Sequence, residues 1–304
     1  MGNKNSSQRH PPSAPPPQVL KKLEAWRLTV KPTFEESFCA LQKECGKYKE
    51  DEFNICLIGH TGAGKSSLIN SIYSISRNRI VDMVTTKSDK LPGVGTYRLI
   101  SVKCGPEDIF GNIRILDTMG FTGAFGKDET GITEDDIKAV CEGRVKSGHT
   151  FNKGEAATAE CNKNKPHCIA FVVSAEAVQD LTDNPDSMTR DKFLKLRDLV
   201  PDDIALIAII TKCDRICDDT NTDIENIYKS KTIENLVKRT EATFGMPQNK
   251  IFPIVNYVTE SFPNEKKSLP ILWAVYSAID FAHDRKSMGV DTCTDRQIVP
   301  NMTK

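Results

Sequence analysis

No run in this sequence approaches the ~20 consecutive apolar residues that a membrane-spanning helix needs. The N-terminus also lacks the charged-then-apolar order of a secretory leader. Net charge is missing as well: 41 Lys and Arg stand against 41 Asp and Glu. The chain therefore has no global field to hold it on nucleic acid, and any charge-driven contact must be local. Its ten cysteines include no C-x-x-C pair, and Cys56, Cys104 and Cys168 fall in apolar runs, where cysteine behaves as a small hydrophobe. No second ligand pair at zinc-like spacing follows Cys161, His167 and Cys168, so these read as structural residues. The expectation is a protein in a reducing compartment, soluble or at most anchored.

What is present divides the 304 residues into unequal parts. Residues 1–33 hold the run Pro11-Pro12-Ser13-Ala14-Pro15-Pro16-Pro17. They also hold six basic residues (Lys4, Arg9, Lys21, Lys22, Arg27, Lys31) against Glu24 alone, and so read as a disordered basic tail. Residues 34–52 form a helical extension, with Phe38, Leu41 and Cys45 on one face. From 53 to 284, apolar bursts alternate with amphipathic stretches, the pattern of a mostly parallel sheet between helices. The bursts are Phe53–Ile58, Tyr97–Cys104, Ile113–Leu116, Ile169–Ser174, Ile204–Ile210 and Ile251–Val255; the helical stretches are Lys65–Ser76, Glu134–Glu142, Ser187–Leu199, Lys231–Phe244 and Leu269–His283. Residues 285–304 read as a polar tail. The segment Phe121–Lys165, poor in apolar bursts, reads as a long functional loop around one helix.

Gly59-His60-Thr61-Gly62-Ala63-Gly64-Lys65-Ser66 fits G-x-x-x-x-G-K-[ST] between a buried strand and a helix. Glycines let the backbone curl until its amides converge on phosphate, and the helix points its positive end at the same place. Gly59, Thr61, Gly62, Ala63, Gly64 and Ser67 are the expected cradle, with Lys65 on the β and γ oxygens. Ser66 and Asp117 are the expected Mg²⁺ ligands. Asp117-Thr118-Met119-Gly120 ends the third burst, so that the Gly120 amide can sense a γ-phosphate. Thr211-Lys212-Cys213-Asp214 ends the fifth. There a carboxylate at Asp214 can accept from the N1–H and N2 amino group of guanine, which adenine lacks, while the Lys212 stem lies over the purine. Together these motifs call for a three-layer P-loop domain of the Ras-like GTPase type, with GTP or GDP and Mg²⁺ as ligands.

A narrower set of residues resembles the interferon-induced protein 44 family over roughly residues 50–280. The set is Gly62-Ala63-Gly64-Lys65-Ser66-Ser67 with Ile69-Asn70-Ser71, Asp117-Thr118-Met119-Gly120, Ile132-Thr133-Glu134-Asp135-Asp136-Ile137, Glu142-Gly143, Thr211-Lys212-Cys213-Asp214 and Phe252-Pro253-Ile254-Val255-Asn256-Tyr257. The resemblance implies a cytoplasmic GTP-binding protein of innate, interferon-linked antiviral defence, and protein effectors are the expected partners. It also implies that Asn256 and Tyr257 sit beside the base with Thr211, Lys212 and Asp214.

Phe121 follows Gly120 where many hydrolysing relatives keep a glutamine that orients water. Slow hydrolysis is the expectation, with a nucleotide-stabilised binding module as the alternative. Thr85, Thr86 and Thr96 are equal candidates for the threonine that closes over Mg²⁺. Met1-Gly2-Asn3-Lys4-Asn5-Ser6 fits the myristoylation pattern at Gly2, and a basic tail beside one acyl chain would be the second signal that membrane anchoring needs. Oligomeric state is left open by the sequence.

Overall fold

The computed structural model describes residues 25–29, 31–84, 99–104, 109–121, 132–151, 162–183 and 188–294. Gly2, Thr85, Thr86 and Thr96 lie outside the described residues.

Among the described residues six strands form one sheet: β1 (Glu52–Gly59), β2 (Ile100–Lys103), β3 (Asn112–Asp117), β4 (Cys168–Ser174), β5 (Ala205–Thr211) and β6 (Ile251–Pro253), in the order β2-β3-β1-β4-β5-β6. Every neighbouring pair is parallel except β2 with β3. Aliphatic runs such as Ile169–Val173 and Ile207–Ile210 are buried, as strands covered on both faces require. The helices are α1 (Phe34–Cys45), α2 (Lys65–Arg77), α3 (Glu134–Cys141), α4 (Ala175–Asp183), α5 (Met188–Asp198), α6 (Asp218–Thr222), α7 (Lys231–Phe244) and α8 (Glu265–Thr294). α8 packs on α1 and α2, and α7 packs on α4 and α5. The strand order reverses at β1, with β3 on one side and β4 on the other. That reversal opens a crevice at the carboxyl ends of the strands, where open α/β sheets bind ligands.

Local chemistry sets the helix ends. Thr133 and Asp136 form a reciprocal capping box at α3, the Thr133 hydroxyl accepting from the Asp136 amide at 3.2 Å and Asp136 accepting from the Thr133 amide at 2.9 Å. α7 starts at Ser230, whose Oγ accepts from the Thr232 amide, and stops at Gly245 with φ 63°. The segment around α3 is more packed than a long loop: Ile132, Ile137, Val140, Val145 and Phe151 are buried. Leu99 exchanges main-chain bonds with Gly148 and His149, which ties this segment to the start of β2.

Two expected boundaries shift. Within the anticipated tail, Ala25–Thr29 lies against the body: the Trp26 amide donates to Tyr228 O at 2.9 Å and its indole to Ile227 O at 3.2 Å. The Arg27 guanidinium donates to Ile251 O at 2.8 Å and also to Gln248 O, and it stacks 5.7 Å from the Phe252 ring. Among the described residues β6 is the edge of the sheet, and a planar cation with several donors caps Ile251 O on it and Gln248 O in the turn before it. At the other end α8 continues past 284 to Thr294. Arg285 donates to Asp202 O and Lys286 lies 5.5 Å from the Phe53 ring, contacts that hold the added turn to the domain. No helix among the described residues is long and apolar enough to cross a membrane.

Under the crevice, Phe193 of α5 makes edge contacts with Phe121 and Phe244 at 4.9 Å and with Phe171 at 5.9 Å. All four rings are buried. Removing the central ring will destabilise the protein by ~3–5 kcal/mol, read as a lower urea midpoint for Phe193→Ala at unchanged slope.

Candidate nucleotide site

β1 carries the chain into the crevice and Gly59 ends it. A Cβ there would stand 2.0 Å from Val172 O, so only glycine lets β1 and β4 approach at this point. Gly62 (φ 77°) and Gly64 (φ 92°) then take the left-handed conformations that curl the loop. Gly64 is the N-cap of α2 and offers no side-chain cap. The first turn of α2, with Lys65, Ser66 and Ser67, thus presents main-chain amides that have no acceptor within the helix.

Lys65 is 6% exposed and donates to Gly59 O at 3.0 Å and His60 O at 3.2 Å. Burial pushes its pKa down, and the neighbouring Asp117 carboxylate pushes it back up. An ammonium has three protons. Two are used here, and one remains among the described contacts. The Ser66 hydroxyl donates to Asp117 Oδ2 at 2.8 Å, and Asp117 is fully buried at the end of β3. Thr118 Oγ1 bonds Leu57 O at 2.8 Å, pinning the strand end to β1.

Gly120 lies against the loop so closely that a Cβ would come within 2.8 Å of the Thr61 main chain. The Thr61 amide donates to Phe121 O at 2.9 Å, and the Phe121 amide donates to Gly59 O at 3.3 Å. The Phe121 ring, where a water-orienting glutamine is often found, is buried against Phe193 with the Lys192 ammonium 5.2 Å from its centroid.

On the base side, Thr211 ends β5 and its hydroxyl donates to Ala63 O at 2.5 Å. Lys212 adopts a left-handed φ of 57°, and the half-buried Asp214 follows in a short 3-10 turn, Cys213–Arg215. Asn256 Nδ2 donates to Gly64 O at 3.2 Å, while its Oδ1 is buried with no partner among the described residues. Both base-side segments are therefore bonded directly to the phosphate-loop main chain. Tyr257 departs from the expectation. Its amide donates to Ser71 Oγ, and its hydroxyl is engaged with Asn264 and Ser268 at the start of α8. A buried phenol must place its OH, and α8 is what it meets. The structure thus makes Tyr257 a brace for the loop that carries Asn256.

Sequence reasoning assigned no role to Asn70 and passed over His60. Asn70 uses its whole amide: Nδ2 donates to Asp82 Oδ1 and Val84 O, and Oδ1 accepts from the Met83 and Val84 amides, all between 2.9 and 3.1 Å. It holds the chain leaving α2. Its presence in Ile69-Asn70-Ser71 was the available signal, but an asparagine inside a helix does not name its partners.

Residues 54–195 match the family model described as a 50S ribosome-binding GTPase. Interferon-induced protein 44-like of Homo sapiens is 27% identical over 241 residues, which cover 77% of this chain and 52% of that protein. Interferon-induced protein 44 of Homo sapiens is 24% identical over 245 residues, with 77% and 54% covered. The chain has a P-loop GTPase fold and is similar in sequence to proteins of the interferon-induced protein 44 family. It spans about half the length of these curated relatives. Among solved structures, Toc33 from Arabidopsis thaliana in complex with GDP and Mg²⁺ is similar at 17% identity and a TM-score of 0.46, covering 83% of this chain and 93% of that one. A probable GTP-binding protein engB is similar at 18% and 0.42, covering 74% and 98%.

The residues of this GTPase domain suit a hard divalent cation. A hydroxyl and a carboxylate, Ser66 and Asp117, meet at the loop, and Mg²⁺ in phosphate sites takes one or two carboxylates together with phosphate oxygens and waters. No cluster of three or more His, Cys, Asp or Glu side chains that could hold a metal occurs among the described residues, and a site of this kind does not need one.

Proposed function

We propose that the protein binds guanine nucleotides in this crevice and acts in interferon-linked innate defence as a slow GTPase switch working through protein effectors in the cytoplasm. The observation that carries this reading is the coupling of the two half-sites. Thr211 at the end of β5 and Asn256 in the loop after β6 donate to Ala63 O and Gly64 O, so a base at Asp214 and phosphates on the loop share one frame.

Within that frame the loop amides and the remaining Lys65 proton meet the phosphates, and Asp214 accepts from the guanine edge. Mg²⁺, held by Ser66 and Asp117, would neutralise charge on the β and γ oxygens. The orphaned Asn256 Oδ1 leaves a buried acceptor beside the Gly64 end of the loop. Calorimetric titration of the full chain with GTP, GDP and ATP in magnesium tests the reading: both guanine nucleotides will bind and ATP will not. Equal affinity for ATP would overturn it.

The Phe121 ring, buried where a water-positioning side chain would be needed, supports slow turnover. Single-turnover hydrolysis without a partner will run below about one per minute. The same observation favours the second reading, a binding module for which nucleotide is only a structural ligand. In that case bound GTP would be recovered intact after hours.

A further inference from the structure

The phosphate loop can present its amides only if its carbonyls face away, and a donor on such a carbonyl fixes the peptide that carries the next amide. Lys65 serves Gly59 O and His60 O, Thr211 serves Ala63 O, and Asn256 serves Gly64 O. The remaining anchored carbonyl, Thr61 O, lies 2.8 Å from His60 Nδ1. The other ring nitrogen, Nε2, is 3.2 Å from the Ser174 amide at the end of β4.

These two contacts define the protonation of the ring. A carbonyl can only accept and a main-chain amide can only donate, so Nδ1 carries the proton and Nε2 the lone pair. His60 is therefore neutral. Burial lowers its pKa to about 4, the Lys65 and Lys212 cations push the same way, and the Thr61 bond and the Glu176 carboxylate oppose them.

The peptide that follows gives the ring its consequence. The described peptides are all trans, and in a trans peptide C=O and N–H point in opposite directions. Holding Thr61 O outward on a ring that is itself held by β4 therefore turns the Gly62 N–H into the loop. Gly62, at φ 77° and with nothing within 4 Å of where a Cβ would be, has no side chain to pack and so cannot itself select that orientation.

We infer that His60 is a positioning residue for the phosphates: clamped between Thr61 O and the Ser174 amide, it aims the Gly62 amide at the β-phosphate of a bound nucleotide. This rests on the nucleotide-binding reading above. Thr211 and Asn256 do the same for the Gly64 and Lys65 amides, so three side chains from three segments orient three of the loop's donors, while the Ala63 amide is spent on His60 O.

The test compares GDP with GMP, which lacks the β-phosphate, on the full chain and on the His60→Ala and His60→Gln variants. The alanine variant will lose about tenfold in GDP affinity, the scale of one charge-assisted hydrogen bond, with GMP affinity unchanged within twofold. Glutamine offers one donor and one acceptor and will recover most of the loss. A GDP-to-GMP ratio unchanged in His60→Ala, equal weakening of both ligands, or a glutamine variant as impaired as alanine would overturn the inference. Nitrogen-15 NMR of the unsubstituted protein at pH 7 gives an independent reading: protonated Nδ1 with bare Nε2 supports it, and the opposite tautomer refutes it. Wild-type protein that binds neither nucleotide would instead refute the nucleotide-binding reading itself.

Discussion

Asp214→Asn will bind GDP about 10²- to 10³-fold more weakly than the unsubstituted protein, and it will gain affinity for xanthosine diphosphate. A carboxylate at this position accepts from both N1–H and the N2 amino group of guanine, and each hydrogen bond to a charged acceptor contributes roughly 1.5–3 kcal/mol. Asparagine keeps one acceptor but turns an N–H₂ toward the N2 amino group, so a donor faces a donor. Xanthine has a carbonyl at that carbon and accepts from the new amide. Asp214 is half-buried in its short turn after Lys212, so the substitution removes no core packing and the melting temperature of the nucleotide-free protein will stay within a few degrees. Titrating both diphosphates into both proteins separates specificity from loss of fold. An Asp214→Asn protein that still prefers GDP would show that the base is read elsewhere.

Lys65→Met will abolish most nucleotide binding while leaving the empty protein as stable as before, or more so. The ammonium is 6% exposed and burial depresses its pKa, so the empty fold carries the cost of a desolvated charge. Its carbonyl partners keep other donors, since Gly59 O also accepts from the Phe121 amide and His60 O from the Ala63 amide. Methionine fills the volume without leaving those groups unpaired. With nucleotide the balance reverses: a buried charge pair that loses one partner costs on the order of 3 kcal/mol, roughly 150-fold in dissociation constant. Thermal unfolding with and without GDP reads both halves at once. A variant that melts lower without ligand, or that keeps its GDP-induced shift, would contradict the assignment of Lys65 to the phosphates.

Much of the frame was legible because it is written in consecutive residues. The phosphate loop, the Asp117 tetrapeptide and the Thr211 motif each depend on spacing along the chain. The strands of a sheet buried on both faces show as unbroken aliphatic runs, so β1, β4 and β5 were expected within a residue or two of where they lie. The helix Ala175–Asp183 was not anticipated. It starts directly at the end of β4, so no polar break separates the two elements. Tyr257 was placed beside the base only through the family resemblance, and its hydroxyl is engaged by Asn264 and Ser268, partners that sequence order alone does not identify. The docking of Trp26 and Arg27 on Ile227, Tyr228, Gln248 and Ile251 spans some two hundred residues, and a Pro-rich, basic neighbourhood concealed it.

By itself the sequence determined the class of fold, the loop that curls at Gly62 and Gly64, the lysine and serine at the head of α2, and the carboxylates at two strand ends. These follow from backbone freedom and from chemistry carried at fixed local intervals. Tertiary structure decided which groups hold that loop open: Thr211 on Ala63 O, Asn256 on Gly64 O, His60 between Thr61 O and Ser174, and Phe121 turned into the ring cluster under the crevice. The physical reason is that a main-chain carbonyl is the same acceptor at every residue, and only the folded arrangement of distant strands determines which donor reaches it.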